Sequence, residues 1–192
     1  MEERARTVWE DLEAFYTNRY KGWSGSKQFE GTSDRLRRLM EEMCWPTWEI
    51  EEDLRKHFKS VFPDDYDEML VTEPISVWTL CPHHLVPCQF RVRIGYIPNG
   101  NVLGLSKFAR VAIALGKRPI MQEQYTRDVA EAVMKHLKPS GVGVNVVGHH
   151  GCMGCRGVTQ DIGVATTTLR GNFKEDPSVK DEFYKMIEIA GE

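Results

Sequence analysis

Apolar residues recur at helical spacing through the first third of the chain. In residues 3–20 the apolar positions follow the period of a helix, with charged side chains between them. A stretch rich in glycine and serine then predicts a loop, and further helices are predicted over residues 33–43 and 47–61. We therefore predict an N-terminal helical segment over residues 1–65.

After this segment the pattern changes from helical to alternating. Residues 75–81 and 88–98 each alternate apolar with polar side chains, which is the pattern of a strand with one buried face. The short segment between them predicts a tight connection. The two strands are therefore expected to pair antiparallel.

Two helices and two further strands are predicted in the rest of the chain. One helix starts with Ser106 as its N-cap, and another runs over residues 122–137. Alternating valines over residues 142–146 predict a third strand, and residues 157–169 are rich enough in β-branched side chains for a fourth. This order predicts an α+β domain over residues 66–192, with helices on one face of an antiparallel four-stranded sheet.

The composition narrows the classes of function. The chain of 192 residues has a net charge of −3 at pH 7 and no strongly basic half, which gives no support to nucleic-acid binding. No apolar run is long enough to span a bilayer and the first residues lack the apolar stretch of a signal peptide, so we expect a cytoplasmic protein. Five cysteines, an odd number, favour reduced thiols and metal binding over a disulfide framework.

Two short clusters of cysteine and histidine lie far apart in the sequence, each at the end of a predicted strand. Cys81 and His84 belong to the first cluster and Cys152 to the second. Zn²⁺ binds cysteine sulfur and histidine nitrogen in a tetrahedral shell, and a catalytic site keeps three protein ligands and leaves the fourth position to water. These three residues are therefore a candidate zinc site. His83 and His150, beside them, are candidates for proton transfer.

Two other interpretations of these clusters remain open. Cysteine and histidine are also ordinary interior residues that pack or hydrogen-bond without a metal. Alternatively the metal is structural, and Cys155 joins Cys81, His84 and Cys152 in a closed shell of four ligands. The spacing alone does not distinguish a closed site from a catalytic one.

Six short motifs follow one another between residues 70 and 173. They are Cys81-x-His83-His84-Leu85-x-Pro87, Tyr96-Ile97-Pro98-x-Gly100, Gly104-Leu105-Ser106-Lys107-x-x-Arg110, Gln122-Glu123, His150-x-Cys152-Met153-x-x-Arg156-Gly157 and Leu169-Arg170-Gly171. In this order they resemble the signature segments of the GTP cyclohydrolase I family. The resemblance implies the tunnelling fold, in which the sheet and its two helices assemble into a homo-oligomeric ring with active sites between subunits. It also implies the family's reaction, which opens GTP at guanine C8, releases formate and gives 7,8-dihydroneopterin triphosphate.

The resemblance implies roles for the cysteine and histidine clusters. Cys81, His84 and Cys152 match the family's metal ligands, and His83 and His150 match its acid/base histidines. Hydrolysis at C8 needs a nucleophilic water at neutral pH, and Zn²⁺ lowers the pKa of bound water to about 7. It also needs a proton donor near the ring nitrogens, for which imidazole has a suitable pKa.

The resemblance further implies that Glu123 binds guanine, with Gln122 beside it. Guanine presents its N1–H and its exocyclic amine as adjacent donors, and one carboxylate can accept from both. Without the resemblance, an acidic residue at the start of a helix is explained by the helix dipole.

Four residues match the family positions that bind the triphosphate. Ser106, Lys107 and Arg110 lie at the start of a predicted helix, where free N–H groups and the dipole favour an anion. Arg156 lies four residues after Cys152 and would supply a forked guanidinium from near the metal. Basic residues on a helix surface are usually only solvated, so these assignments depend on the resemblance.

The chain departs from the family pattern in four places. Pro82 replaces a glutamate, Gln124 replaces an arginine and Cys155 is an additional thiol. Arg38 is the nearest match to a family helix start of the form Thr-Pro-x-Arg, but the Thr-Pro is absent. Two alternatives therefore stay open: a zinc hydrolase of the same fold acting on a different purine nucleotide, and a non-catalytic protein with a closed structural zinc.

Overall fold

The computed structural model describes residues 7–23 and 25–190 of the chain. The contacts between residues divide the chain into two units, Met1–Cys44 and Trp45–Glu192. In chain order the elements are α1 (Val8–Arg19), a 3₁₀ turn (Ser26–Phe29), α2 (Thr32–Met43), α3 (Thr47–His57), β1 (Val61–Pro63), β2 (Leu70–Val71), β3 (Ile75–Leu80), β4 (Pro87–Ile97), β5 (Asn101–Leu103), α4 (Leu105–Gly116), α5 (Gln122–Leu137), β6 (Gly141–His150), α6 (Gly151–Gly154), β7 (Val164–Gly171), α7 (Asn172–Glu175) and α8 (Pro177–Ile189).

The first unit contains the helices α1 and α2, as the helical period predicts. A capping box formed by Thr7 and Glu10 starts α1, because each residue satisfies a backbone N–H of the other. The Glu13 carboxylate accepts a hydrogen bond from the Ser33 N–H at 2.7 Å and so ties α1 to the start of α2. Residues 3–6 of the predicted first helix lie outside the described residues.

In the second unit, β4 is the central strand of an antiparallel sheet. β2 and β3 pair with one edge of β4, β6 pairs with the other edge, and β7 pairs with β6. The four predicted strands are β3, β4, β6 and β7, and the short β2 is an additional one. β7 begins at Val164 instead of near residue 157, because Gly157 and Thr159 have φ angles of 64° and 52° that interrupt an extended chain.

The helices α4 and α5 share one core with a single face of the sheet. Alternation along β4 places Phe90, Val92 and Ile94 in this core, together with Val111 of α4 and Val129 of α5. All five side chains are fully buried, and burying each one stabilises the fold by about 1.5–3 kcal/mol. The predicted α+β class, with helices on one face of an antiparallel sheet, is confirmed.

The helix α3 packs into the same core through Ile50, Leu54 and the adjoining Phe58. Its contacts place it in the second unit, whereas the sequence pattern assigns it to the N-terminal segment. The division of the chain at residue 65 stays a prediction. None of the helices in the described ranges is long and apolar enough to cross a membrane.

The opposite face of the sheet is covered at one end by α7 and α8, which no sequence pattern above predicts. Phe173 and Phe183 are fully buried there, with ring centroids 5.3 Å apart. They lie over Gly95 of β4 and Gly143 of β6, which are cross-strand partners. A Cβ atom at Gly143 would lie 2.7 Å from the Phe173 ring and 2.9 Å from the Phe183 ring. The close approach of the two rings therefore requires glycine.

Gly143→Ala is expected to destabilise the protein by about 1–3 kcal/mol, because the added methyl group forces both phenylalanine rings to move. The midpoint of thermal unfolding measures the effect. Gly154→Ala is the matched control, since the nearest atom to its added Cβ lies 3.9 Å away. Equal unfolding midpoints for the two variants would contradict the packing described for Phe173 and Phe183.

Candidate functional site

The two cysteine and histidine clusters lie at the same end of the sheet. Cys81 follows β3, His84 lies in the turn after it, and Cys152 lies in α6 directly after β6. The register of β4 with β6 pairs Cys88 with His150, which brings both clusters to one edge. The two sulfur atoms of Cys81 and Cys152 and one ring nitrogen of His84 all lie within 4.8 Å of one another.

The turn between β3 and β4 is closed by backbone hydrogen bonds. The Cys81 N–H donates to the Val86 carbonyl at 2.9 Å, and the Leu85 N–H donates to the Cys81 carbonyl at 2.8 Å. Leu85 adopts a left-handed conformation with a φ of 52°, which is strained for a residue with a Cβ. The closed turn holds the His84 Nδ1 atom 3.6 Å from the Cys81 sulfur.

The donor set of this group suits a zinc ion. Two thiol sulfurs and one imidazole nitrogen are ligands that Zn²⁺ prefers, and three protein ligands are usual in catalytic zinc sites. Burial and the neighbouring Cys81 thiol raise the pKa of Cys152, which disfavours its thiolate form. A cation bound at this position would stabilise the thiolate. Within the described part of the chain, the exposed Cys155 is not a member of the group.

His150 has a protein contact at each ring nitrogen. Its Nε2 atom lies 2.8 Å from the Gln122 side-chain oxygen, and its Nδ1 atom lies 3.5 Å from the Cys88 sulfur. Burial lowers the pKa of His150, and the charge of the Glu123 carboxylate offsets this only in part. The imidazole is therefore neutral at neutral pH.

Gln122 is buried, and its hydrogen bonds are made to the protein. Its amide nitrogen has acceptors in the Val146 carbonyl at 3.1 Å, the Val164 carbonyl at 2.8 Å and the Thr166 hydroxyl at 3.1 Å. The sequence predicts Gln122 as a substrate-binding residue. In the structure it joins α5 to β6 and β7 and contacts His150.

The sequence pattern assigns no role to Cys88. In the structure this residue is buried, with 1% of its surface exposed, and lies beside His150. Its place as the first inward-facing residue of β4 indicates burial from the sequence alone. The strand register that places it beside an imidazole cannot be deduced from local pattern.

The two remaining histidines of the clusters lie on the outside of the site. His83 is exposed, with its ring centroid 6.2 Å from that of His84. His149, for which the sequence predicts no role, has its Nδ1 atom 2.8 Å from the Asp161 carboxylate. This contact ties the loop before β7 to β6.

Glu123 and Arg156 lie at the same end of the sheet as the cysteine and histidine group. Glu123 is exposed in the first turn of α5 and lines, with Arg127 and Arg170, a groove of about 460 Å³ between α5 and β7. Arg156 is exposed after α6, and its Nη1 atom lies 2.9 Å from the His84 Nε2 atom.

Ser106 and Lys107 lie in the first turn of α4, and Arg110 lies in the second. The helix begins at Leu105 with Gly104 as its N-cap, so the predicted capping role of Ser106 is wrong. The reason is that an N-cap residue keeps a non-helical backbone, whereas Ser106 is already inside the helix.

The first turn of α4 lies at the far end of the sheet from the cysteine and histidine group. Phe108 of this turn packs on Tyr96, with ring centroids 5.1 Å apart, whereas Cys88 at the other end of β4 contacts His150. From Cys88 to Tyr96 the strand rises by about 27 Å, at ~3.4 Å per residue. One chain does not bring the predicted phosphate-binding residues of α4 together with its own candidate metal site.

Comparisons of the sequence with known proteins agree on one family. The sequence model of the family described as GTP cyclohydrolase I matches residues 23–188. GTP cyclohydrolase 1 of Clostridium perfringens (strain 13 / Type A) is 38% identical over 159 residues, which cover 82% of this chain and 84% of that protein. The enzyme of the same name from Pseudoalteromonas translucida is 39% identical over 160 residues, covering 82% and 87%. That from Homo sapiens is 43% identical over 129 residues, covering 67% and 52%.

Among solved structures, the archaeosine synthase QueF-Like in its apo form is similar with a TM-score of 0.45. It is 23% identical, and the match covers 56% of this chain and 96% of that chain. A likeness of this size carries no weight for activity, and the assignment depends on the sequence matches. The family match extends over most of the chain and includes all six motifs described above. The chain belongs to the GTP cyclohydrolase I family.

Proposed function

We propose that this protein hydrolyses GTP at guanine C8, releases formate and forms 7,8-dihydroneopterin triphosphate. The observation that carries the proposal is the group of Cys81, His84 and Cys152, whose ligand atoms lie within 4.8 Å of one another in a chain of this family. The relatives compared above are named GTP cyclohydrolase 1, which supports the same substrate here.

Zn²⁺ is the proposed resident ion, held by Cys81, His84 and Cys152. Two thiols in the donor set favour zinc over harder divalent ions. When bound, zinc supplies a water with a pKa of about 7, and hence a nucleophile at neutral pH. Cys81 and Cys152 would bind the ion as thiolates, which explains why both thiols lie in one place.

His150 and His83 are the proposed acid/base residues. Opening the imidazole ring of guanine requires protons to reach ring nitrogens, and a neutral imidazole can accept a proton and return it. The low pKa that burial gives His150 supports a role as the initial acceptor. His83 is exposed beside His84 and is placed to meet a substrate that approaches from solvent.

Glu123 is the proposed guanine-binding residue. Its carboxylate is exposed at the start of α5 and lines the groove between α5 and β7. One carboxylate can accept from both the N1–H and the amine of guanine. Gln122 supports this end of the site through its hydrogen bond to His150.

Ser106, Lys107 and Arg110 are proposed to bind the triphosphate of a site on a neighbouring copy of the chain. About 27 Å of β4 separates the first turn of α4 from the cysteine and histidine group of the same chain, which is too far for one bound nucleotide. Arg156 is the proposed phosphate contact from the metal end. A homo-oligomeric ring with sites between subunits brings both sets of residues onto one GTP.

The cytoplasm is the proposed compartment. All five cysteines are free thiols in the structure, and free thiols and thiolate metal sites persist in a reducing environment.

Purified protein of known zinc content is expected to release formate from GTP and to give the absorbance of a pterin. Cys152→Ala is expected to lower turnover by about a thousandfold or more, because the metal loses one of its three ligands. Cys44→Ala, which removes a thiol from the first unit, is the control and should keep both signals.

Three outcomes of this assay would contradict parts of the proposal. Faster turnover of another purine nucleotide than of GTP would point to a different substrate. Formate without a pterin would point to hydrolysis that stops before rearrangement. Neither signal, from protein that holds one zinc per chain, would favour a structural metal.

Cys155→Ser is expected to keep the zinc content and to change turnover by less than about twofold, because an exposed residue outside the ligand group contributes little. Zinc content is measured by a colorimetric chelator after the protein is denatured. Loss of the zinc in this variant would support the closed shell of four ligands.

Two inactive variants are expected to restore activity when they are expressed together. Lys107→Ala removes a proposed phosphate contact and Cys152→Ala removes a metal ligand, so a mixed oligomer contains some sites with both intact residues. GTP turnover of the co-expressed protein is the measurement. In the control, the two variants are purified separately and then mixed under conditions in which the oligomers do not exchange subunits. No recovery on co-expression would place both residues in a site within one chain.

A further inference from the structure

The Gln122 amide defines which nitrogen of His150 carries the proton. Its nitrogen lies within hydrogen-bond distance of three acceptors on β6 and β7, which an amide oxygen could not satisfy. The oxygen of Gln122 therefore faces the His150 Nε2 atom at 2.8 Å, and this atom must carry the hydrogen. In a neutral imidazole the other nitrogen, Nδ1, is then an acceptor.

Cys88 lies on the acceptor side of His150. Its sulfur is 3.5 Å from Nδ1 and 3.8 Å from the Val86 carbonyl. The Val86 carbonyl already accepts the Cys81 N–H at 2.9 Å, so Nδ1 is the nearer and less occupied acceptor. Cys88 is 1% exposed and belongs to the apolar core, an environment in which a thiol keeps its hydrogen on the sulfur.

We propose that Cys88 is a positioning residue for the reaction, because its S–H donates to the Nδ1 atom of His150 and, with Gln122, holds the imidazole from both sides. The two contacts fix the ring plane and keep the proton on Nε2. A thiol is a weak donor, so Nδ1 keeps most of its capacity to accept a proton from a stronger donor. The catalytic consequence rests on the proposed function, whereas the hydrogen bond itself does not.

If Cys88 contributed only to packing, an apolar side chain of similar size would replace it without loss of activity. The next inward-facing residues of β4, Phe90, Val92 and Ile94, are apolar and fully buried, and valine would fill the place of Cys88 as well as a thiol does. Serine is smaller than cysteine but keeps a hydrogen-bond donor at the same position. Cys88→Val therefore keeps the packing and removes the hydrogen-bond donor, whereas Cys88→Ser keeps the donor. Comparing the two variants shows which property of Cys88 matters.

The infrared S–H stretching band tests the hydrogen bond directly. The difference spectrum between wild type and Cys88→Ala isolates the band of this thiol, and Cys44→Ala serves as the control that should leave it in place. Because donation lowers the stretching frequency, the band is expected to move to higher frequency in His150→Phe, where the acceptor is lost. A band at the same frequency with and without the imidazole would overturn the proposed donation.

Kinetics with GTP test the positioning role. Cys88→Val and Cys88→Ala are expected to lower kcat about tenfold, the effect of one lost hydrogen bond, while KM changes by less than about twofold. Cys88→Ser is expected to recover most of the lost kcat. Thermal unfolding of each variant shows whether the fold is intact, and the infrared comparison with His150→Phe still decides on donation if a Cys88 variant fails to fold.

The outcomes keep this proposal separate from the proposed function. Equal kcat values for the serine and valine variants would assign Cys88 to packing. A wild-type protein that does not turn over GTP would contradict the proposed function, yet its infrared spectrum would still show whether Cys88 donates to His150.

Discussion

The antiparallel register between β4 and β6 is the constraint on which the candidate site depends. The paired residues extend from Cys88 and His150 at one end to Ile97 and Gly141 at the other. Because side chains alternate with a period of two, a slip of one residue would turn His150 to the opposite face of the sheet. The same slip would expose Val142, Val144 and Val146, the inward-facing core residues of β6, so the burial that stabilises the sheet also keeps His150 in the site.

Burial disfavours the thiolate form of both Cys88 and Cys152, but the two thiols have different neighbours. Desolvation raises the pKa values of Cys88 and Cys152, because an apolar environment disfavours a thiolate. Cys152 lies beside Cys81 and His84, where a cation can offset that penalty. Cys88 lies beside His150, where a thiol that keeps its hydrogen is useful as a donor. One end of the sheet thus combines a candidate metal-binding group with an interior contact between a thiol and an imidazole.

The length of β4 separates the two groups of residues assigned to the substrate. α5 begins at the end of the sheet that carries the candidate metal site, where Gln122 contacts His150 and Glu123 lines a groove. α4 begins at the other end, where Phe108 packs on Tyr96. A strand of this length keeps its ends apart in any conformation of the folded sheet. Under the proposed function, each chain therefore contributes residues to two sites, and assembly with a second copy completes each of them.

The sequence by itself determined the class of fold and the candidate residues, because both depend on local pattern. Alternation revealed β3, β4 and β6, and the motif containing Cys81 and His84 carried the family resemblance. The start of β7, the helix α8 and the contacts of Cys88 were decided by the tertiary structure. Cys88 and His150 are 62 residues apart in the chain, and contacts across such a separation follow from strand register and packing, which local periodicity does not encode.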